Sequence, residues 1–238
     1  MLDAVEFIAR YLSYGPMAFW RPVVTMDKAA VRGPNWSQMI FVLLSLLLGF
    51  SLLDKLVWQA LSRYPLLDPG LNFHFGSGSY AFLHFLLPAL VFGFEGALFF
   101  GFGRVLGGQS DAGRVYAALL VLMSSLLFVA VLGTLLVIVP AYLAFDPAFD
   151  PNTLARFASS GAGIANSIIG AFVLSLIFAA YAISVSYVGS KLPLKKAVYA
   201  TALSVGIVVL LQTFVEGGVG VILRGTLQPF SGLYGMFS

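Results

Sequence analysis

The sequence contains no cysteine. A disulfide framework, a thiolate metal site and a cysteine nucleophile are therefore excluded. Charge is almost as scarce: 13 basic and 10 acidic residues amount to 10% of 238 positions. A soluble domain carries about 25% charged residues, so this chain cannot cover a water-facing surface. The only histidines are His74 and His84, and His74 falls in a glycine-rich loop. Bis-His haem ligation and a metal centre are both unsupported, and no cofactor is expected. No Lys/Arg run exceeds two residues and the net charge is only +3. The basic balance therefore signals topology, not a nucleic-acid partner. Apolar residues fill the chain instead: 60% is hydrophobic, with 22 Phe and a mean hydropathy of +0.96. That is the profile of a polytopic membrane protein, and it also excludes disorder.

A helix needs about 20 apolar residues to cross the hydrocarbon core. Five stretches qualify: about Trp36 to Trp58, Tyr80 to Gly103, Val115 to Tyr142, Ile164 to Val188 and Ala197 to Leu223. The expected fold class is all-α, a five-helix transmembrane bundle with an N-terminal amphipathic interfacial helix. Residues 1–34 form that interfacial segment, 35–223 the five-span domain, and 224–238 a short glycine-rich tail. Acidic residues and three prolines in the first 35 positions do not match a secretory signal. Basic residues set the orientation. Nine lie in the N-terminal segment and the loops after spans two and four; Lys55, Arg63, Arg156 and Arg224 lie on the other side. The N-terminus is expected in the cytoplasm and the C-terminus outside.

Leu2, Val5, Ile8 and Leu12 recur at near-helical spacing, which suits a helix resting in the interface plane. Gly15-Pro16 should end it, and a second short helix should cover about Pro22 to Val31. The stretch Gly101-Phe102-Gly103-Arg104-Val105-Leu106-Gly107-Gly108 lacks the context of a phosphate loop. It reads as a helix stop followed by a tight turn. Asp150-Pro151 should open a short helix to about Ala158. The chain after Glu216, with its repeated glycines, should be irregular.

Glu95 is the candidate polar site. It sits near the middle of span two, where a carboxylate costs about 2.5–3.5 kcal/mol on insertion scales. His84, Pro88 and Glu95 lie along nearly one helical face, Pro88 four positions and Glu95 eleven positions after His84. Such a stripe can serve a proton path or a polar ligand; equally, Glu95 can be a buried group bonded to a neighbouring hydroxyl or carbonyl. Span four carries a packing stripe: Gly163, Ser167, Ala171, Ser175 and Ala179 recur at every fourth residue, letting another helix approach closely. An internal neighbour is expected there. No Gly-x-Ser-x-Gly elbow supports a serine hydrolase.

The segment Arg104-Val105-Leu106-Gly107-Gly108-Gln109-Ser110-Asp111-Ala112-Gly113-Arg114-Val115 resembles the loop of the Yip family of five-span membrane proteins. A Gly-Gly pair and a short polar run there precede an inward-turning helix. Gly189-Ser190-Lys191-Leu192-Pro193-Leu194-Lys195-Lys196-Ala197 resembles the family's loop ending in a Lys-Ala step into the last span. The chain looks more like the compact bacterial members than those with a long polar N-terminal region. The resemblance implies the five-span architecture of those members. The lack of a catalytic constellation, the small-residue stripe and the amphipathic N-terminus point to a non-enzymatic accessory or scaffold protein or membrane-organising factor, expected in a bacterial inner membrane and acting through a membrane-protein partner or homo-oligomer among membrane lipids. The alternative is a proton, ion or lipid transporter using Glu95 and His84. A lipid-acting enzyme finds no adequate site in the sequence.

Overall fold

The computed structural model describes residues 2–31, 35–61, 85–109, 111–138 and 161–226. These form seven helices: α1 (Leu2–Trp20), α2 (Pro22–Val31), α3 (Trp36–Leu61), α4 (Leu87–Val105), α5 (Ala112–Gly133), α6 (Gly161–Gly189) and α7 (Leu194–Thr226). No strand occurs among the described residues. Residues 62–84, among them His84 and the start of the expected second span, and the helix expected at Pro151 to Ala158 lie outside the described residues. Four helices are long and apolar enough to cross a membrane: Trp36–Leu53, Pro88–Val105, Ala112–Leu136 and Leu194–Leu211.

α5 is the centre of the bundle. Of its spanning stretch 56% is buried, against 22–28% in the other three. Asp111 starts it, accepting a hydrogen bond from the Gly113 amide at 3.3 Å as an N-cap does. At its far end the helix continues as a π-helical turn, Thr134–Ile138. α3 runs in the same direction as α5: Trp36 stacks edge-on with Tyr116, and Gly49 packs against Leu127. α6 runs the opposite way, so that Gly189 lies against Val115. Between α6 and α7, Thr201 donates to the Ala182 carbonyl at 3.2 Å, and the Ser186 hydroxyl lies 2.7 Å from Thr201 Oγ1. In an apolar surrounding, hydroxyl bonds of this kind hold helices together where hydrophobicity cannot.

The N-terminal region departs from expectation in two ways. First, α1 runs through Gly15 and Pro16 to Trp20, although a proline inside a helix removes one bond to the preceding turn. Packing on α5 outweighs that loss. A Cβ on Gly15 would stand 2.6 Å from the Ser124 carbonyl oxygen, so only glycine permits this approach. Second, α1 packs one face against α5. Ser124 lies about 15 Å along α5 from Arg114, which Asp27 of α2 contacts. The face that packs is Tyr11, Tyr14, Gly15 and Ala18, whereas Val5 and Leu12 of the expected apolar stripe are exposed. Lipid is as apolar as a protein interior, so hydropathy does not choose the face; close approach at Gly15 and Ala18, flanked by the Tyr11 and Tyr14 rings, does. α2 matches the expected Pro22 to Val31, burying Thr25, Met26, Ala29 and Ala30. The third correction is at the other end: α7 remains helical past Glu216 to Thr226 despite its glycines.

Candidate functional site

The helix directions gather three distant segments at one end of the bundle: α2, the α4–α5 turn and the α6–α7 turn. Each junction has a local cause. α4 stops at a paired C-terminal motif, with the Gly107 amide bonded to the Arg104 carbonyl and the Gly108 amide to that of Gly103, at 3.0 and 2.8 Å. Gly107 has a φ of +84°, a conformation that disfavours other residues. Gly108 packs directly on the Ser190 carbonyl, leaving no room for a side chain. Lys196 then reaches back, its Nζ donating to the Leu106 carbonyl at 2.8 Å. This is the helix stop and tight turn read from the glycines, now joined to the loop that follows α6.

On the other side of this end, Arg114 Nη2 meets Asp27 Oδ1 at 3.3 Å. Arg114 Nε is buried and has no hydrogen-bond partner among the described residues. Lys191 adopts a left-handed backbone, with φ of +50°, at a cost of about 1–2 kcal/mol for a residue with a Cβ. Between α2 and the α6–α7 turn lies a groove of about 710 Å³, bordered by Val23, Asp27, Lys28, Arg114, Tyr187 and Lys191. Nothing in the spacing of these residues marks them as neighbours, and sequence reasoning missed the groove.

Glu95 falls in α4, half-buried, between the buried Phe92 and Phe99 on the turns before and after it. Beside it, Gly96 packs directly on the Tyr116 ring, and the Tyr116 hydroxyl donates to the Gly93 carbonyl at 2.6 Å. Its proposed partner His84 lies outside the described residues, so the two are not brought together here. Of the small-residue stripe on α6, the side chains of Gly163, Ser167 and Ala171 are likewise outside the description. Ser175 and Ala179 are exposed, and α6 packs instead through Tyr181, Ala182, Val185 and Val188. The internal neighbour expected for the stripe is therefore not met by its last two members. No group of three or more His, Asp or Glu able to hold a metal occurs among the described residues.

Fold and site together define an all-helical protein with four helices suited to cross a membrane and one end built from three interlocked basic segments. Compared with family models, curated proteins and solved structures, the chain matches none.

Proposed function

We propose that this chain is a Yip-like, five-span protein of a bacterial inner membrane that acts as a scaffold or accessory subunit, binding protein partners through its basic end. The observation that carries this reading is the contact between the two loops that carry the family resemblance. The Gly-Gly pair lies against Ser190, and the lysine of the Lys-Ala step bonds the turn just before that pair. Two weak sequence words that meet in space form one constructed surface. Arg104 and Lys195 stand exposed on it, available to a partner. The fifth span would be α6, whose 29 residues extend about 43 Å, more than the roughly 30 Å of a hydrocarbon core.

The test is purification of the tagged full chain from its own membrane in mild detergent. A stoichiometric partner is expected, and it should be lost from an Arg104→Glu/Lys195→Glu variant that melts like the parent. Recovery of the chain without any stoichiometric partner would overturn the reading.

A second reading, transport, rests on Glu95. A half-buried carboxylate within a spanning helix is costly enough to need a reason. Reconstituted Glu95→Gln protein should then lose proton or solute flux; unchanged flux removes this reading.

A further inference from the structure

The groove between α2 and the α6–α7 turn combines features that neither a protein scaffold nor a transport path requires. We propose that it seats the headgroup of an anionic phospholipid from the leaflet at the basic end of the bundle. Three cationic side chains border it, Lys28, Arg114 and Lys191, against a single carboxylate, Asp27. Three minus one leaves a local charge of +2. Asp27 offers Arg114 one contact at 3.3 Å, while Arg114 Nε is buried and unpartnered among the described residues. A guanidinium has five donors in a fixed fork suited to phosphate oxygens, and the 19% of the Arg114 side chain that is exposed, held by one long contact to Asp27, presents outer donors to an incoming phosphate. Lys28 and Lys191 are exposed and form no ion pair with another described residue. Lys191 is held at this edge by its left-handed backbone.

The apolar part of the groove distinguishes a lipid from a free anion. Val23, Val24 and Tyr187 border the same space and stay 39–51% exposed. A water-soluble phosphate has no use for them, whereas the glycerol and first acyl carbons of a lipid would cover them. Position agrees: the groove lies at an end of the spanning helices, where headgroups sit, and basic residues at that level attract anionic lipid. Its volume of about 710 Å³ falls in the range of small-molecule sites. This proposal does not depend on the protein-partner reading, which uses Arg104 and Lys195.

The experiment compares lipids on the intact chain. Purified protein, exchanged into a neutral detergent, is titrated with phosphatidylglycerol or with phosphatidylcholine, and retained lipid is counted by native mass spectrometry alongside the melting temperature. Inorganic phosphate and glycerol phosphate form the remaining arms. One tightly held phosphatidylglycerol is expected, with a rise in melting temperature that phosphatidylcholine and the soluble phosphates do not reproduce. Lys28→Gln and Lys191→Gln, both at exposed positions, should each weaken retention by about fivefold while leaving the melt in phosphatidylcholine unchanged. Arg114→Gln should weaken it further, but the lysine variants decide the matter because they disturb no packing. Equal retention of the two lipids, an equal effect of soluble phosphate, or unaltered retention in the double lysine variant would overturn the proposal. So would loss of a protein partner from that variant with lipid retention intact, since the groove would then be a protein contact.

Discussion

Tyr11 illustrates how single residues behave in this interior. Its side chain is 2% exposed, and its hydroxyl has no hydrogen-bond partner among the described residues. An unsatisfied buried polar group costs about 1–3 kcal/mol, so Tyr11→Phe is expected to stabilise the protein by up to that amount, read as a higher melting temperature in detergent. Burial pushes the Tyr11 phenol above its ordinary value; Tyr14 adds to this and Arg10 opposes it. Because the folded state resists deprotonation, the stability linked to this group is complete below about pH 10, the unfolded value, and is lost as the pH rises beyond it. Melts taken across that interval should fall more steeply for the parent chain than for Tyr11→Phe. Parallel curves would show that the phenol is not sequestered. That Tyr11 faces inward was not legible in the sequence. The aliphatic stripe with Val5, Ile8 and Leu12 reads as a face for the membrane interface, and periodicity does not say which other residues meet the bundle; that is decided by close fit, not by apolarity.

Among the elements, α6 shows both the reach and the limit of periodicity. Its extent, Gly161–Gly189, lies within three residues of the stretch read from hydropathy. The last two members of the every-fourth-residue stripe, Ser175 and Ala179, look outward, while Ala182 and Val185 are closed in. Ala182→Leu should therefore cost about 1–3 kcal/mol by overpacking, while Ser175→Leu should stay within about 0.5 kcal/mol. Thermal melts of the two purified variants check this. A large loss at Ser175 with tolerance at Ala182 would reverse the assignment of faces. The helix ends were more readable than the faces. The stop after α4 at Gly107 and the start of α2 at Pro22 act within a few residues of chain and were read there; the Asp111 cap of α5 is equally local but was not read. Pro16 was the exception, because its effect was decided by Gly15 packing on a helix more than a hundred positions away.

For the whole molecule, the contacts at the basic end make a topological prediction. Lys28, Val105 and Lys195 are exposed on segments that meet there, and the natural chain has no cysteine to confuse labelling. Single cysteines at these three positions should react with a membrane-impermeant maleimide from the same side. A cysteine at Leu61, at the far end of α3, should react only from the opposite side. Different sidedness among the first three would contradict the packing of α2 and the two turns. The division of nine basic residues against four already pointed to this shared end, because charge in short loops is a property of sequence and insertion alone.

Composition by itself determined that this chain belongs in a bilayer, roughly where its helices run and which loops share a side. Those follow from the cost of exposing apolar length to water and from local stop signals, neither of which needs a partner. Only the tertiary structure decided which faces touch, that α1 crosses the middle of α5, and that Asp27, Arg114 and Lys191 border one groove. The physical reason is that lipid and protein interior are almost equally apolar. Hydropathy cannot choose between them, and the choice falls to close backbone approach at Gly15 and Gly108 and to hydrogen bonds between residues far apart in the chain.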